Sequence, residues 1–512
     1  MTPRAGAALP RAWPRADAPP ARPWIVGLAL AIWASAWLAL RAYVAETPPY
    51  DNLEQLSWLR SLEWGYYKHP PLPTWLAWAA VQLFGPSAAL TYALGAALTL
   101  TALGFLAAVV REALGPRSAW VAVAAALCMA FYSQRLHYYN HNTLLMLWVA
   151  VSAWLSWRLL HRPSLRDWAL LGLVAGLALL TKYQYVLAAA CVGWLFLALE
   201  MWRSPLHRGG AALAAGVALL VVSPHLWWLA QAAHTPLDYA RGVAFAADTG
   251  GLARAAAVAR WAADWGLNRA LPAWLFLLAL AVLSRSRRGN GAHAGERAES
   301  RAETRAEGRT APPAVATRVF FYSWALLPPL VMLALGLVGG AALQTQWAAG
   351  FAFLAPPAVL LALRLGEDRL RRPRVGRAAV GAFVLVQALL MAHTWDRSPR
   401  GLHPFGPEHW CRFPAEALAA ELRAQALPAL GGRVSLISGP AAPMQALALH
   451  LPGWPRVLIE RNPALSPWVA PGELASTPVL ELWPPGQGPH DLPRTAQGWG
   501  WQIVGPVDAP LP

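Results

Sequence analysis

The sequence is poor in charge, in lysine and in cysteine. Charged residues make up 13% of its 512 residues and hydrophobic residues 57%, which is too little charge to solvate two or three ordinary soluble domains. Its three cysteines, Cys128, Cys191 and Cys411, offer neither a disulfide framework nor the spacing of zinc ligands, so redox chemistry is not expected. The composition instead predicts a polytopic membrane protein.

The formal net charge of +16 is compatible with nucleic-acid binding, but the placement of the arginines argues against it. They lie mainly between apolar runs rather than on one patch interleaved with aromatic residues. This placement is typical of residues that set membrane topology. No nucleic-acid partner is therefore expected.

Apolar segments of spanning or near-spanning length recur along the chain and predict about eleven transmembrane helices. The first is too long for the core of a cleaved signal peptide, so we expect an uncleaved helix with a cytoplasmic N-terminus. Arginines fill every second connection, which predicts that those connections are cytoplasmic and that the C-terminus is outside. The predicted segments are residues 24–43, 87–110, 118–133, 142–160, 167–181, 184–201, 211–230, 270–284, 318–339, 348–364 and 377–393.

Three further regions differ from the apolar runs. Residues 1–23 and 285–317 are low in large apolar residues and predict a disordered cytoplasmic N-terminus and a disordered cytoplasmic linker. From residue 396 to 512, short apolar pieces such as "RVSLISG" and "RVLIE" alternate with Pro/Gly turns and the helical stretch "PAEALAAELRAQAL". This pattern predicts a small α/β domain on the outer face, after a membrane domain at 24–395.

The connections without arginine clusters hold most of the polar and aromatic residues. They are residues 50–76, "YSQRLHYYNHNT" (132–143), "TKYQY" (181–185), 231–269 and "QTQW" (344–347). All of them are predicted on the outer face, although their chemistry was not used to assign it. This coincidence predicts a single extracytoplasmic site.

The first outer connection carries two acids, Asp51 and Glu54, at the start of an amphipathic pattern that runs to Trp64. The spacing predicts a short helix lying on the bilayer, followed by a "HPPLP" break and a second helix over 74–84. One interpretation is that Asp51 caps the first helix and Glu54 completes a capping box. A chemical role for the same carboxylates is compatible with this, because capping fixes where a carboxylate points.

Five features of the chain are an acid after the first span and then the motifs "WLRSLEWGYYKHPPLPTWL", "NTLLMLW", "TKYQYVL" and "SPHLWWL". In these features the chain resembles the GT-C membrane glycosyltransferases. The likeness is to the bacterial branch related to protein O-mannosyltransferases and to the lipid A aminoarabinose transferase. It implies an α-helical inner-membrane enzyme that moves a sugar from a polyprenyl-phosphate donor to an envelope glycan, lipid or protein on the outer face. It also implies that Asp51 is the general base, a role favoured by partial desolvation, with Glu54 as a support or acceptor contact.

The resemblance implies cations beside the phosphate that leaves. Lys68 and Lys182, the only two lysines, are the first candidates, although each is also explained as an interfacial side chain that snorkels. Arg135 and Arg241 are further candidates. The sequence lacks a Gly-rich nucleotide loop, which agrees with a lipid-activated donor, and we expect inversion at the anomeric carbon.

The sequence departs from the family in its second outer connection, where many members carry another acid and this chain has Asn140 and Asn142. Metal binding by His69, His137, His141 or His225 is disfavoured by their spacing, so no metal site is predicted, and a divalent cofactor stays an open alternative. Substrate contacts are predicted for His69, Tyr183 and His225, and interfacial anchoring is the alternative for Trp227 and Trp228 beside them.

Two other functions compete with glycosyl transfer. A transporter or flippase of a lipid-linked saccharide would carry ionisable residues near the bilayer midplane and some repeat symmetry, and neither is evident. The second competing function is a catalytically inactive scaffold whose C-terminal domain binds a glycan. A glycosyltransferase with Asp51 as base is the function that the sequence favours.

Overall fold

The computed structural model describes residues 23–232, 234–244, 250–285, 315–406, 409–470 and 472–505. Of the predicted disordered N-terminus (1–23) and linker (285–317), residues 1–22 and 286–314 lie outside the described residues. The rest of both predictions is wrong, because Pro23, Arg285 and residues 315–317 belong to helices. The first part of the chain is helical throughout. Its helices are α1 (Pro23–Val44), α2 (Tyr50–Trp58), α3 (Leu72–Phe84), α4 (Ala88–Leu114), α5 (Pro116–Leu127), α6 (His141–His161), α7 (Leu165–Leu179), α8 (Val186–Ala198), α9 (Pro205–Gln231), α10 (Pro236–Ala244), α11 (Gly251–Ala263), α12 (Leu271–Arg285), α13 (Val315–Leu337), α14 (Ala355–Ala362), α15 (Glu367–Leu370) and α16 (Pro373–Asp396).

Six of these helices, α1, α4, α6, α9, α13 and α16, are long and apolar enough to cross a membrane. The helix pair Gly251–Asn268 and Leu271–Arg285, bent by 51° at its break, makes a seventh candidate by length and composition. Each of the eleven predicted segments contains a helix, but α5, α7, α8, α12 and α14 are shorter than a full span. The helical membrane architecture is thus present, and the count of eleven spans stays a prediction.

Small residues bring neighbouring elements of the membrane part into close contact. Gly172 of α7 meets the backbone of Ala214 of α9 so closely that an added Cβ would overlap it. Gly95 of α4 lies in the same way against the backbone carbonyl of Tyr138, in the connection before α6. Backbones approach this closely only where side chains are absent, as in other membrane helix pairs. Gly95 therefore seats the 132–143 connection on α4.

The C-terminal part forms a small α/β unit made of α17 (Ala415–Gln425), β1 (Leu436–Gly439), α18 (Ala441–Ala448), β2 (Arg456–Ile459), β3 (Val479–Trp483) and β4 (Gly500–Val504). The strand order is β2-β1-β3-β4. Strand β1 is parallel to both neighbours, and β4 is antiparallel to β3. The predicted strands in "RVSLISG" and "RVLIE" are β1 and β2, and the predicted helix is α17.

The core of this unit includes two residues of the connection between α1 and α3. Trp58 and Tyr66 stack at 4.8 Å between ring centroids and are buried together with the apolar faces of α17, α18 and the sheet. The unit is thus packed on residues 50–67 rather than joined only through the chain. The division into domains at residues 395 and 396 stays a prediction.

The predicted bilayer-lying helix over 51–64 is wrong in its extent and in its setting. Helix α2 ends at Trp58, and Leu62 and Trp64 are exposed beyond it. All residues from Asn52 to Trp58 are buried, with Leu53 packed against Ala415 and Ala446 of the C-terminal unit. The apolar face of α2 is covered by protein, because the chain returns after the last membrane helix to pack on it. The second helix of this connection, predicted at 74–84, is α3.

Candidate active site

Asp51 lies in the first turn of α2 and is held by a residue 89 positions later in the chain. The side-chain amide of Asn140 donates a hydrogen bond of 2.8 Å to Oδ2 of Asp51. The carbonyl oxygen of the same amide accepts from the backbone N–H groups of Asn142 and Thr143 at the start of α6. Since those bonds use the oxygen of Asn140, its NH2 group is directed at Asp51. The carboxylate is thereby anchored to the N-terminus of a membrane helix.

The capping interpretation of Asp51 and Glu54 is wrong. The N-cap position of α2 is Pro49, and no side chain accepts a capping hydrogen bond there. Asp51 is directed at Asn140 instead, and Glu54 forms an ion pair of 2.6 Å with Nζ of Lys68. The two carboxylates therefore bind side chains outside α2 rather than the backbone N–H groups of that helix.

Lys182 is the second charged group of the site. It follows α7, and Nζ donates a hydrogen bond to the side-chain oxygen of Asn142. Burial lowers the pKa of Lys182 to about 8; the nearby charge of Asp51 opposes that shift and the charge of Lys68 adds to it. Asp51 and Lys182 are thus linked through Asn140 and Asn142, which are neighbours at one helix terminus.

Lys68, the other lysine, is neutralised within the protein. Its partner Glu54 is buried, and burial raises the pKa of Glu54 to about 6 although Lys68 acts in the opposite direction. Burial alone would lower the pKa of Lys68, but the charges of Glu54 and Asp51 outweigh it and raise that pKa. Tyr239 of α10 lies over the ammonium group at 5.6 Å from its ring centroid. Lys182, in contrast, forms no ion pair with a carboxylate among the residues described. Of the two lysines, it is therefore the one whose positive charge is not balanced by a salt bridge.

The histidines support the backbone of the outer connections. The rings of His69 and His141 lie 3.9 Å apart between centroids, and a ring nitrogen of His141 is 3.3 Å from the carbonyl oxygen of Pro70. Burial, with the charges of His141, Lys68 and Lys182, lowers the pKa of His69 well below its usual value. Within the described ranges, no group of three or more His, Cys, Asp or Glu residues is arranged to hold a metal ion. These neutral rings fix the His-Pro-Pro turn.

Tyr183, in the connection after α7, and His225 of α9 join α9 to the first connection. The hydroxyl of Tyr183 is 2.7 Å from Nε2 of His225, and Nδ1 of His225 is 2.5 Å from the carbonyl oxygen of Trp64. Trp228, one turn further along α9, fills the space over Gly65. The sequence predicted substrate contacts for both residues, and the structure shows His225 bound to the backbone of the first connection and Tyr183 bound to His225.

The two predicted arginines differ in position. Arg135 lines an open pocket together with Tyr138, Asn140, Asn142, Thr143 and Gln346. Arg241 is exposed on α10, where it pairs with Asp238 at 3.7 Å, and it makes no described contact with Asp51 or Lys182. Only Arg135 therefore adjoins the residues that hold the candidate base and cation.

The sequence did not predict that Asn140 donates a hydrogen bond to Asp51 or that the ring of Tyr239 lies over the ammonium group of Lys68. For Asn140 a signal existed, because Asn before an apolar helical run is a typical N-cap and an amide oxygen used in capping leaves its NH2 group free to donate. For Tyr239 there was none, since an aromatic residue in a long connection is common at a membrane surface. Both contacts arise where separate connections meet.

Comparison with known proteins places this geometry in context. Residues 68–228 match the family model described as dolichyl-phosphate-mannose-protein mannosyltransferase. The chain is 24% identical over 201 residues to lipid A galacturonosyltransferase RgtD of Rhizobium johnstonii, covering 39% of this chain and 42% of that protein. It is 28% identical over 205 residues to lipopolysaccharide core galacturonosyltransferase RgtA of the same organism, covering 40% and 41%. The match thus spans about two fifths of each relative.

The fold has a counterpart over almost the whole chain. The crystal structure of ArnT from Cupriavidus metallidurans bound to undecaprenyl phosphate superposes with a TM-score of 0.59 at 15% identity, covering 95% of this chain and 98% of ArnT. At that identity the likeness shows the fold alone, which is helical and ArnT-like with a small sheet. Together the three comparisons confirm the resemblance to the GT-C membrane glycosyltransferases.

Proposed function

We propose that this protein transfers a sugar from a polyprenyl-phosphate donor to an acceptor of the cell envelope, with Asp51 as general base. The observation that carries the proposal is that neighbouring residues at one helix terminus hold a carboxylate and a lysine: Asn140 binds Asp51, and Asn142 binds the partly buried Lys182. A base and a cation fixed at the same helix terminus are the two groups that such a transfer requires.

The reaction follows from these positions. Asp51 accepts the proton of the acceptor hydroxyl while the hydroxyl oxygen attacks the anomeric carbon. The bond from that carbon to the phosphate oxygen breaks as the new glycosidic bond forms, so the electron pair leaves with the lipid phosphate. Lys182 stabilises the negative charge that develops on the phosphate. Attack opposite to the leaving group inverts the anomeric carbon.

Lys68 has a different role in this proposal from the one that the sequence suggested. Its charge is balanced by Glu54 at 2.6 Å, and both lie beside the turn that follows α2. We propose that this pair and the His69–His141 stack set the shape of the pocket wall, while Lys182 contacts the phosphate. Tyr183 and His225 hold the end of α9 over the first connection. Arg241 is not assigned a contact.

The membrane arrangement belongs to the proposal as well. We place the protein in the bacterial inner membrane with the site on the outer face, about eleven spans in 24–395, and an outer domain from 396. The meeting of 50–76, 132–143 and 181–185 around Asp51 supports one face for all three. The names of the two Rhizobium relatives make lipid A and lipopolysaccharide core the first acceptors to analyse.

The test is mass spectrometry of envelope lipids and glycans from a deletion strain, where one glycosyl increment should be missing. Wild-type protein should restore it, and Asp51→Asn should not, although the variant reaches the membrane at a normal level. Glu63→Gln is the matched control, because Glu63 is an acid of the same connection whose carboxylate, among the described residues, accepts a hydrogen bond only from the hydroxyl of Ser61. If Asp51→Asn restored the missing glycosyl increment, a transporter would be favoured. The same would follow if wild type transferred no sugar and the variant still transported the saccharide.

A further inference from the structure

A group of exposed arginines lies around the start of α16, far from Asp51. Residues 364–377 hold six arginines and two acids, and the exposed arginines are Arg364, Arg371, Arg372, Arg374 and Arg377. The other end of α16 meets the 132–143 connection, where the side chain of Gln134 donates hydrogen bonds to Leu390 and Thr394. Since the 24 residues of α16 extend about 36 Å, the arginines lie about one membrane thickness from the connection that carries Asn140.

The two acids of this segment do not neutralise its arginines. Glu367 is buried, and its carboxylate accepts hydrogen bonds from the backbone N–H groups of Arg117 and Ser118 at the start of α5. The same carboxylate pairs with the side chain of Arg117 at 3.1 Å, so its charge is used by an arginine outside the segment. Asp368 is the remaining acid against six arginines. The surface therefore keeps a surplus of positive charge.

Contacts between helices hold the arginine segment in place. Glu367 seats α15 against the start of α5, and the guanidinium of Arg372 donates a hydrogen bond of 2.6 Å to the carbonyl oxygen of Ser284 in α12. Arg285, which follows Ser284, is exposed as well. Because the backbone of the segment is fixed by these contacts, a ligand that binds the arginines loses less free energy to ordering them.

The arginines of α16 continue directly into an apolar face of the same helix. Arg374, Arg377, Val380 and Val384 follow one another at helical spacing and are all exposed, whereas Gln387 on the other face is buried. Because α16 is long enough to cross the membrane, its first turns lie at the level of the lipid headgroups and the following turns lie beside the acyl chains. One lipid molecule can therefore contact the guanidinium groups with its headgroup and the valines with its chains.

An anionic phospholipid fits this surface better than the other candidates. The linker 286–314 of the same chain has six arginines against four glutamates, so it adds positive charge rather than balancing it. A zwitterionic headgroup carries its own cation, which the arginines repel, whereas an anionic headgroup presents a phosphate whose charge is not balanced. Membrane topology requires arginines in the connection, but it does not require them on the lipid-facing side of the helix.

We propose that Arg374 and Arg377 bind the headgroup of an anionic phospholipid whose acyl chains lie along the exposed apolar face of α16. The two guanidinium groups lie one helical turn apart and can each pair with two oxygens of a phosphate. The site is separate from Asp51 and Lys182, so this inference does not depend on the proposed sugar transfer.

The test compares two phospholipids that differ only in the headgroup. Purified full-length protein in detergent is titrated with phosphatidylglycerol or phosphatidylcholine of the same acyl chains, and native mass spectrometry counts the lipids retained. The wild type should prefer phosphatidylglycerol on the order of 10- to 30-fold, since each arginine beside an anionic headgroup contributes about fivefold. The double variant Arg374→Gln/Arg377→Gln should lose this preference, and Arg374→Lys/Arg377→Lys, which keeps the charges that set topology, should retain most of it.

The matched control is the double variant Arg423→Gln/Arg433→Gln. Both arginines are exposed in the C-terminal unit, so this variant removes the same charge away from α16. It should keep the full preference for phosphatidylglycerol. Thermal unfolding establishes that each variant is folded before its lipid binding is compared.

The outcomes separate a lipid site from the alternatives. Equal affinity for the two lipids, or a preference that survives in a folded Arg374→Gln/Arg377→Gln protein, would overturn the proposal and leave these arginines a role in topology alone. Displacement of phosphatidylglycerol by millimolar inorganic phosphate would identify a soluble anion as the ligand and would also overturn it. A preference that depends on Arg374 and Arg377 would support the lipid site even if the protein transferred no sugar.

Discussion

The alkaline pH dependence of the enzyme should report the titration of Lys182. Burial lowers the pKa of this lysine to about 8, against an ordinary value of 10.5. Only the protonated ammonium stabilises a leaving phosphate, so activity is lost as the pH rises through 8. From pH 7 to pH 9 the protonated fraction falls about tenfold, whereas a lysine with an ordinary pKa would stay almost fully charged. We expect kcat/KM to fall by the same factor, since that quantity reports the free enzyme.

Substitutions separate Lys182 from its neighbours. Lys182→Arg keeps a charge that does not titrate below pH 12, so its profile should stay level through pH 9 at a reduced rate. Lys182→Met should lose about 100-fold or more in kcat, the usual cost of removing one stabilising group. The titratable groups near Lys182 are Asp51, Lys68 and the neutral rings of His69 and His141. Lys68→Arg keeps the charge of Lys68 and is the control that should leave the alkaline limb unchanged.

The assay is transfer of labelled sugar by purified protein between pH 6 and pH 10, with the substrate concentration varied at each pH. A profile that stays level to pH 9.5 in the wild type would refute the reasoning. So would an alkaline decline that Lys182→Arg retains, because another group would then be titrating.

Three other substitutions test the framework of the site. Asn140→Ala should lower kcat about tenfold with little change in KM, because Asp51 loses the donor that orients it, and should lower stability by about 1 kcal/mol through the lost N-cap. Glu54→Gln should destabilise the protein by about 3 kcal/mol, since it leaves the charge of Lys68 partly buried and unpaired; thermal unfolding in detergent measures this. Gly95→Ala should cost about 1–3 kcal/mol and also reduce transfer, because the added Cβ displaces the connection that carries Asn140.

Two of these, at Asn140 and Gly95, have a matched comparison in the chain. Asn140→Asp keeps the capping oxygen but replaces the donor by a carboxylate that repels Asp51, so it should recover neither kcat nor full stability. Gly104 lies on the same helix as Gly95, but an added Cβ there would meet open space. Gly104→Ala should therefore leave stability and activity unchanged. If Asn140→Ala and Asn140→Asp both retained full activity, Asn140 would have only a structural role.

The helical architecture could be predicted from the sequence because apolar runs and arginine placement are local properties. Every predicted segment contains a helix, and the strands "RVSLISG" and "RVLIE" form as expected. What could not be predicted was where helices break, since short helices such as α5 and α14 are stabilised by burial against their neighbours rather than by their own length.

The candidate site was predicted only in part, because it too depends on packing between segments that are far apart in the chain. The chemistry of Asp51, Lys68, Lys182 and Arg135 could be listed in advance, and the three connections that hold them do meet. Which partner each residue takes depends on packing between distant segments. The pairing of Lys68 with Glu54 removed one phosphate candidate, and no local pattern distinguishes that lysine from Lys182.

The sequence by itself determined that this is a helical membrane protein with its reactive side chains in a few connections between helices, because burial in lipid demands long apolar helices and leaves polar chemistry to what joins them. Only the tertiary structure decided that Asn140 holds Asp51, that Lys182 keeps an unbalanced charge, and that the C-terminal unit buries α2. Those outcomes depend on side chains far apart in the chain competing for partners within one buried volume, where an unpaired charge is costly.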